Sequence, residues 1–379
     1  MRVAFSTTVL AKGLAHSSVD GIGSYTRELG GLLAQRADVS LVPVGFRYVV
    51  GNDVIEGSEV PEMLSSYAKT AAWSAVTSFL FPVDVLRRRN VDLFHATDHL
   101  IPKLSNIPVV ATLMDAIPLS NPEWGRMNFA AMKRWLWRRA ARWADHVITI
   151  SEYSKQEIIK QFGIADDRIS VTPLGVDQRF FECIEDHIKT DVLQKLGLSG
   201  SFFLFVGTLQ PRKNVERILD AHLALPEAVR KELPLVIVGR AGWGCETLVK
   251  RLTDAHAQTN VHWLQYLPDI EVRVLMQTAR ALVFPSLCEG FGLPVVEAFA
   301  SGLPVITSNS TSLPEVAGDA ALLVTPTNVA EIADAMNQMV RSPGLPERLS
   351  GAGRLRAREM SWESCTELTL AAYRRAVAG

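Results

Sequence analysis

The stretch EGFGLPVVEAFA, residues 289–300, sets two carboxylates, Glu289 and Glu297, around two glycines and a proline. Pro294 suits a first helical turn, where its missing N–H would be unpaired anyway, so a helix starts near it. Gly290 and Gly292 allow a tight turn and let backbone N–H groups approach a ligand. Free N–H groups and the helix dipole then favour an anion. A glycosidase would need the two carboxylates facing each other across a bond, about 5–5.5 or 6.5–9.5 Å apart. Here one lies in a loop and the other in a helix. The positive helix end favours the charged form of both, not a protonated acid. Two ionised acceptors suit sugar or ribose hydroxyls, each charge-assisted bond contributing about 1.5–3 kcal/mol. The plainer alternative is a strand-to-helix turn in which Glu297 only complements the dipole.

Two further stretches carry similar chemistry. VGTLQPRKN, residues 206–214, places Arg212 and Lys213 just beyond an apolar run, where a fork and a point charge can neutralise a diphosphate. DGIGSYTREL, residues 20–29, puts Gly21 and Gly23 at a helix start, a weak anion signal without a full G-x-G-x-x-G. Either stretch alone also reads as an ordinary surface loop. Taken together, glycine and cation loops at strand ends point to a ligand with phosphates and hydroxyls, a nucleotide sugar. FHATDH, residues 94–99, adds His95 and His99 as candidates for the same site, although a histidine at a strand end is commonly structural.

The elements that must position these residues alternate along the chain. Apolar runs at 2–7, 40–45, 91–97, 108–114, 146–151 and 168–175 read as strands, with helices at 21–35, 126–143 and 154–162 between them. The pattern loosens near 185–200, then restarts with strands at 202–208, 233–239, 261–265, 281–286 and 304–308. Short buried runs separated by helices indicate parallel sheets covered on both faces. The fold class is therefore α/β, with two Rossmann-like doubly wound lobes joined by a linker near 185–200 and a site in the cleft at the strands' carboxyl ends. A last amphipathic helix spans 361–378.

Length and composition agree with this. The chain has 379 residues, 48% hydrophobic and 21% charged, with a formal net charge of -1, so no global pull toward nucleic acid exists. Four scattered cysteines form no C-x-x-C pair and read as free thiols of a reducing compartment, not a zinc site. The N-terminal MRVAFSTTVLAKGLA reads as a first core strand and not a signal peptide. TAAWSAVTSFLFPV, residues 70–83, is uncharged but too short to span a membrane and reads as a buried or interfacial helix.

The quoted stretches, with VIVG, PSLCEGFGLPVVEAFASGLPVITSNSTSLPEVAGDAALLV and VITISEYSKQEIIKQFG, resemble glycosyltransferase family 4. These are retaining enzymes of the GT-B fold that use nucleoside-diphosphate sugars without a bound metal or other cofactor. The resemblance implies an acceptor lobe at 1–185, a donor lobe at 186–360 and a helix, 361–379, packing back on the first. It implies that Glu289 and the backbone of Gly290, Phe291, Gly292 and Leu293 hold the donor sugar, and that Glu297 takes the ribose hydroxyls. Lys213 and Arg212 would bind the diphosphate beside Gly207, with Gly21 and Gly23 approaching it from the other lobe and Gln265 and Tyr266 lying against the base. Two departures stand out. Thr208 replaces a basic residue common in relatives, and Met114 stands where relatives carry a histidine near the reacting sugar. Asp115 or His95 is then left to fill that role.

Residues 124–143, WGRMNFAAMKRWLWRRAARW, hold four tryptophans and six cations without an acid. Such a helix suits an interface of anionic headgroups; a covering helix with snorkelling cations is the alternative. The chain is thus expected on the inner face of the cytoplasmic membrane, acting on a polyprenyl-diphosphate-linked saccharide. Its N-terminal lobe resembles bacterial mannosyltransferases of surface polysaccharide synthesis, which implies mannose from GDP-mannose as the donor, with a UDP sugar as the alternative. A glycoside hydrolase or phosphorylase and a nonenzymatic sugar-binding protein are the other classes. No nucleic-acid motif accompanies the basic stretch.

Overall fold

The computed structural model describes residues 1–15, 20–46, 61–82, 84–124, 130–258 and 260–378. The chain divides into two compact units, Met1–Gly175 with Trp362–Gly379, and Val176–Ser361.

The first unit is built on a seven-stranded parallel sheet. Its strands are β1 (Arg2–Ser6), β2 (Ser40–Phe46), β3 (Glu62–Leu64), β4 (Leu93–Ala96), β5 (Val109–Thr112), β6 (His146–Thr149) and β7 (Ile169–Val171), in the order β3-β2-β1-β4-β5-β6-β7. β4, β5 and β6 are buried at every position, as continuous apolar runs between two helical layers must be. The helix Gly21–Ala34 buries Tyr25, Leu29 and Leu33 on one side. The helix Trp362–Ala378, last in the chain, packs against that helix and against β5 and β6. A cluster of Phe46, Tyr67, Phe81 and Phe94 fills one face of the sheet.

The second unit carries six parallel strands, β8 (Phe203–Val206), β9 (Leu235–Val238), β10 (Val261–Leu264), β11 (Ala281–Phe284), β12 (Val305–Ser308) and β13 (Ala321–Val324), in the order β10-β9-β8-β11-β12-β13. In both sheets the winding direction reverses once, between β1 and β4 and between β8 and β11. Loops that leave the carboxyl ends of those two strand pairs diverge and open a crevice, the usual ligand position of a doubly wound sheet.

Several expectations need correction. The segment expected as a linker near 185–200 holds a helix, Asp186–Lys195, that packs on the helix Asp269–Thr278 and belongs to the second unit. That unit begins ten residues before the expected boundary, at Val176, whose N–H bonds the Met360 carbonyl. β3 and β13 were not foreseen. The basic helix runs over Ala130–Ala141, and the start expected at 126 lies outside the described residues. The uncharged stretch at 70–83 is a helix only as Tyr67–Val76; it buries Tyr67, Ala71 and Ala75 but exposes Trp73 and Val76.

Candidate functional site

In the second unit the loops after β8 and β11 bring Arg212, Lys213 and Glu289 together. Lys213 Nζ donates to Glu289 Oε1 at 2.6 Å, and Arg212 Nη1 donates to Oε2 at 2.7 Å and to the Cys288 carbonyl at 3.1 Å. Lys213 also lies 4.7 Å from the centroid of the Phe284 ring. Glu289 and Lys213 are both buried. Burial alone would raise the Glu289 carboxyl, but the charges of Lys213 and Arg212 outweigh it and hold it below the ordinary range. The cluster thus carries two positive charges against one negative charge, in a setting where unscreened charge acts strongly.

This pairing joins residues 76 positions apart, and the sequence reading treats them as separate groups. What holds the two loops in register is Asn214, which sequence reasoning also passed over. Its backbone is left-handed, with φ 62°, and its amide donates to the carbonyls of Pro285, at 2.8 Å, and Pro326, at 2.6 Å. Ser312 adds a second tie, its hydroxyl donating to the carbonyls of Glu289 and Phe291, both at 2.9 Å.

Gly290, Phe291, Gly292 and Leu293 follow in the turn, and the helix Leu293–Ala300 begins where Pro294 indicated. Gly292 has φ 117°, and a Cβ there would sit 2.7 Å from Leu313 Cδ2, so no other residue fits the turn. Glu297 corrects an expectation. Burial first, then the charges of Asp269 and Asp177, push its carboxyl up to about 7, against a smaller opposing pull from Lys213. The helix start does not keep it ionised, because Glu297 sits in the second turn, beyond the reach of the first free N–H groups. It remains half-buried, with an edge open to solvent.

Gly207 closes β8, and its carbonyl passes so near Gly239 that a Cβ on Gly239 would stand 1.9 Å from it. This close approach lets the loops after β8 and β9 run side by side. Gln265 and Tyr266 follow β10 and are both exposed. Arg240, after β9, lies over the Tyr266 ring at 4.6 Å, a flat cationic surface that the sequence reading missed.

The first unit places its candidates differently. His95 is wholly buried, with Nδ1 2.6 Å from the Tyr373 hydroxyl and Nε2 2.8 Å from the Thr112 hydroxyl, which in turn meets the Tyr25 hydroxyl at 2.8 Å. Burial pushes it down to about 3, so it stays neutral. With both nitrogens engaged and no exposure, His95 ties β4, β5 and two helices together and is withdrawn from the catalytic candidates. Asp115, beyond β5, is half-buried and accepts from the Ile117 N–H at 2.9 Å, fixing the turn that follows. The N–H of Gly23 is taken by the Asp20 carboxylate at 2.8 Å, so the helix start at Gly21 and Gly23 already holds an anion of the chain's own. His99 stacks on Trp137, ring centroids 4.7 Å apart.

Two parallel-sheet Rossmann-like units in one chain, the second with a buried lysine and a half-buried arginine at its switch point, are the architecture of the GT-B fold. The sequence comparisons go further. Residues 193–356 match the family description Glycosyl transferases group 1, and residues 19–180 match Glycosyltransferase Family 4. The chain is 30% identical over 364 residues to the MMP alpha-(1->4)-mannosyltransferase of Mycolicibacterium hassiacum, covering 90% of this chain and 84% of that one. It is 36% identical over 237 residues to the O-antigen chain mannosyltransferase B of Escherichia coli, a match spanning 61% of each chain. Among solved structures, Anabaena HepE in complex with UDP-glucose shares the fold with a TM-score of 0.74, at 16% identity, over 99% of this chain and 100% of that one. The chain belongs to glycosyltransferase family 4.

Proposed function

We propose that the protein is a retaining, metal-independent hexosyltransferase. It moves a sugar, mannose from GDP-mannose by preference, onto a lipid-linked saccharide during surface polysaccharide synthesis. The observation that carries this reading is the Lys213–Arg212–Glu289 cluster at the switch point between β8 and β11. When the bond between the sugar C1 and the diphosphate breaks, negative charge grows on the leaving phosphate oxygen. Lys213 and Arg212, already oriented by Glu289, meet that charge without reorganising. A Glu289 carboxylate kept ionised also accepts from sugar hydroxyls. Glu297 takes the ribose hydroxyls, and the Arg240–Tyr266 pair offers the base a stacking surface. Same-face attack, with the leaving diphosphate receiving the acceptor proton, accounts for retention without a protein nucleophile.

The preference for mannose draws on the two relatives, both named mannosyltransferases. A UDP-sugar donor is the second reading, supported by the UDP-glucose complex of HepE. A thermal-shift panel of GDP and UDP sugars, followed by nucleoside-diphosphate release with and without a polyprenyl-diphosphate-linked saccharide, tests both. No shift with any donor, or sugar release that needs no nucleotide, would sink the assignment.

The reading also places the protein at an anionic membrane face, the inner one. The helices Tyr67–Val76 and Ala130–Ala141 pack side by side. Together with the residues just after the first, they expose Trp73, Val76, Phe79, Leu80, Met132 and Trp135. Lys133, Arg134, Arg138 and Arg139 accompany these apolar groups, the composition of an interfacial surface.

A further inference from the structure

We propose that the polar cavity at the amino ends of β5, β6 and β7 is an anion site for a phosphate group, with Arg168, Arg375 and His146 as its donors. Pro108, Asp145 and Arg168 stand immediately before the three strands. With Asn106, His146 and Arg375 they line a cavity of about 560 Å³, within the range of about 300–1,000 Å³ usual for small-ligand pockets. This cavity and the crevice between β1 and β4 lie at opposite ends of one parallel sheet, so the site does not rest on the transfer reaction above.

The two arginines are held in place without being neutralised. Arg168 Nε donates to the Asp145 carbonyl at 3.3 Å and Nη2 to the Ala144 carbonyl, neutral acceptors that fix the guanidinium and leave its charge. Arg375 Nη1 donates to Ser170 Oγ at 3.0 Å. Neither makes an ion pair among the described residues, and each guanidinium carries more N–H donors than these bonds use. The carboxylate of Asp145 is engaged by the backbone, accepting from the Val109 N–H at 2.7 Å. The carbonyl end of the helix Trp362–Ala378 would attract a cation at 375, but it has no hold on Arg168, which belongs to another loop.

His146 completes the set. It is buried at the start of β6, with Nε2 2.8 Å from the same Ser170 hydroxyl. Ser170 Oγ receives from Arg375 and can give its own hydrogen to Nε2. The neutral ring then carries its proton on Nδ1, which has no hydrogen-bond partner among the described residues. Burial first, then the charges of Arg375 and Arg168, hold the imidazole below its ordinary range, against a smaller pull from Asp167. The field at the ring is therefore positive, and an anion would relieve it. Arginine forks match phosphate and carboxylate alike. Donors converging from three separate segments suit the tetrahedral oxygens of a phosphate better than a planar carboxylate. Soluble phosphate esters and phospholipid headgroups both carry that group.

The test uses the full chain with inorganic phosphate and with small bicelles of phosphatidylcholine, with or without phosphatidic acid, following the His146 ring by NMR as it titrates. Whichever phosphate probe binds should raise the imidazole toward its ordinary value of about 6.5. It should still do so in Lys213→Ala, which removes a cation of the second unit. Arg375→Gln leaves both Arg168 bonds in place and should weaken binding of that probe about 10–100-fold, the loss expected for a hydrogen bond to a charged group. Arg168→Lys keeps the charge but gives up the fork, and should weaken it as well. A response to inorganic phosphate supports the site with a soluble ester as its source; a response only to phosphatidic acid supports it with a headgroup. No response to either probe, or equal affinity in wild type and Arg375→Gln, would overturn it. Loss of the His146 response in Lys213→Ala would overturn it too, by placing the anion in the second unit.

Discussion

Glu297→Gln should make the protein more stable above pH 7 and leave it unchanged near pH 4.5. In the unfolded chain this carboxyl titrates near 4.5, and in the fold it is pushed up to about 7. Between those values the folded form keeps a proton that the unfolded form has lost, so stability falls as pH rises through the window. Above pH 7 the folded protein holds a half-buried charge that Lys213 offsets only in part. The full difference corresponds to about 3.4 kcal/mol. Residual solvent contact at the half-buried side chain reduces that to roughly 1.5 kcal/mol. For a domain of this size that is about 3–6 °C in melting temperature. Thermal unfolding of wild type and variant at pH 5 and pH 8 reads it directly. The same substitution removes an acceptor for ribose hydroxyls. Wild-type affinity for GDP or UDP should therefore fall as pH drops below 7, while that of the variant stays weak and flat. A melting difference that does not change between pH 5 and pH 8 would refute the raised carboxyl and the cause assigned to it.

Three further outcomes are expected. Lys213→Ala should lower acceptor-dependent turnover about 10²–10³-fold, corresponding to about 2.7–4 kcal/mol of lost transition-state stabilisation; turnover within a few-fold of wild type would remove the leaving-group assignment. Tyr373→Phe leaves His95 Nδ1 without its partner and should cost about 1–3 kcal/mol by urea unfolding with turnover per folded molecule unchanged; a large loss of turnover at unchanged stability would return His95 to the reacting centre. Replacing Trp73 and Trp135 by serine should reduce co-sedimentation with anionic vesicles at least tenfold, and equal binding of wild type to neutral vesicles would discount the electrostatic part.

Of the thirteen strands among the described residues, eleven were legible because a buried parallel strand needs a short continuous apolar run, as in VVAT or FLFV. β3 was not, because EML is three residues long and starts with a charge. β13 was hidden for another reason. ALLV lies inside a longer stretch read for its family likeness, and its outer positions stay partly exposed at the sheet edge. For the site, residue types at strand ends revealed Lys213, Arg212 and Glu289, but not their mutual bonds. Periodicity reports which face is buried and says nothing about which loops converge. The same limit misplaced His95, whose ring nitrogen meets a tyrosine 278 residues away. Glu297 failed differently. Helix-end electrostatics argued for an ionised side chain, and burial beside two aspartates outweighed it.

The helix Trp362–Ala378 sets an order on how the molecule is made. The second unit is one uninterrupted segment, Val176–Ser361, and can reach its native state as soon as that segment has been synthesised. The first unit is translated before it but lacks Tyr373, which reaches into its core to meet His95. Until the helix Trp362–Ala378 has been made, Tyr25, Thr112 and His95 lack the element that covers them. Closing so long an interruption costs only logarithmically more than closing a short one. Delay, more than closure entropy, is the burden: the earlier-born domain is the later to mature.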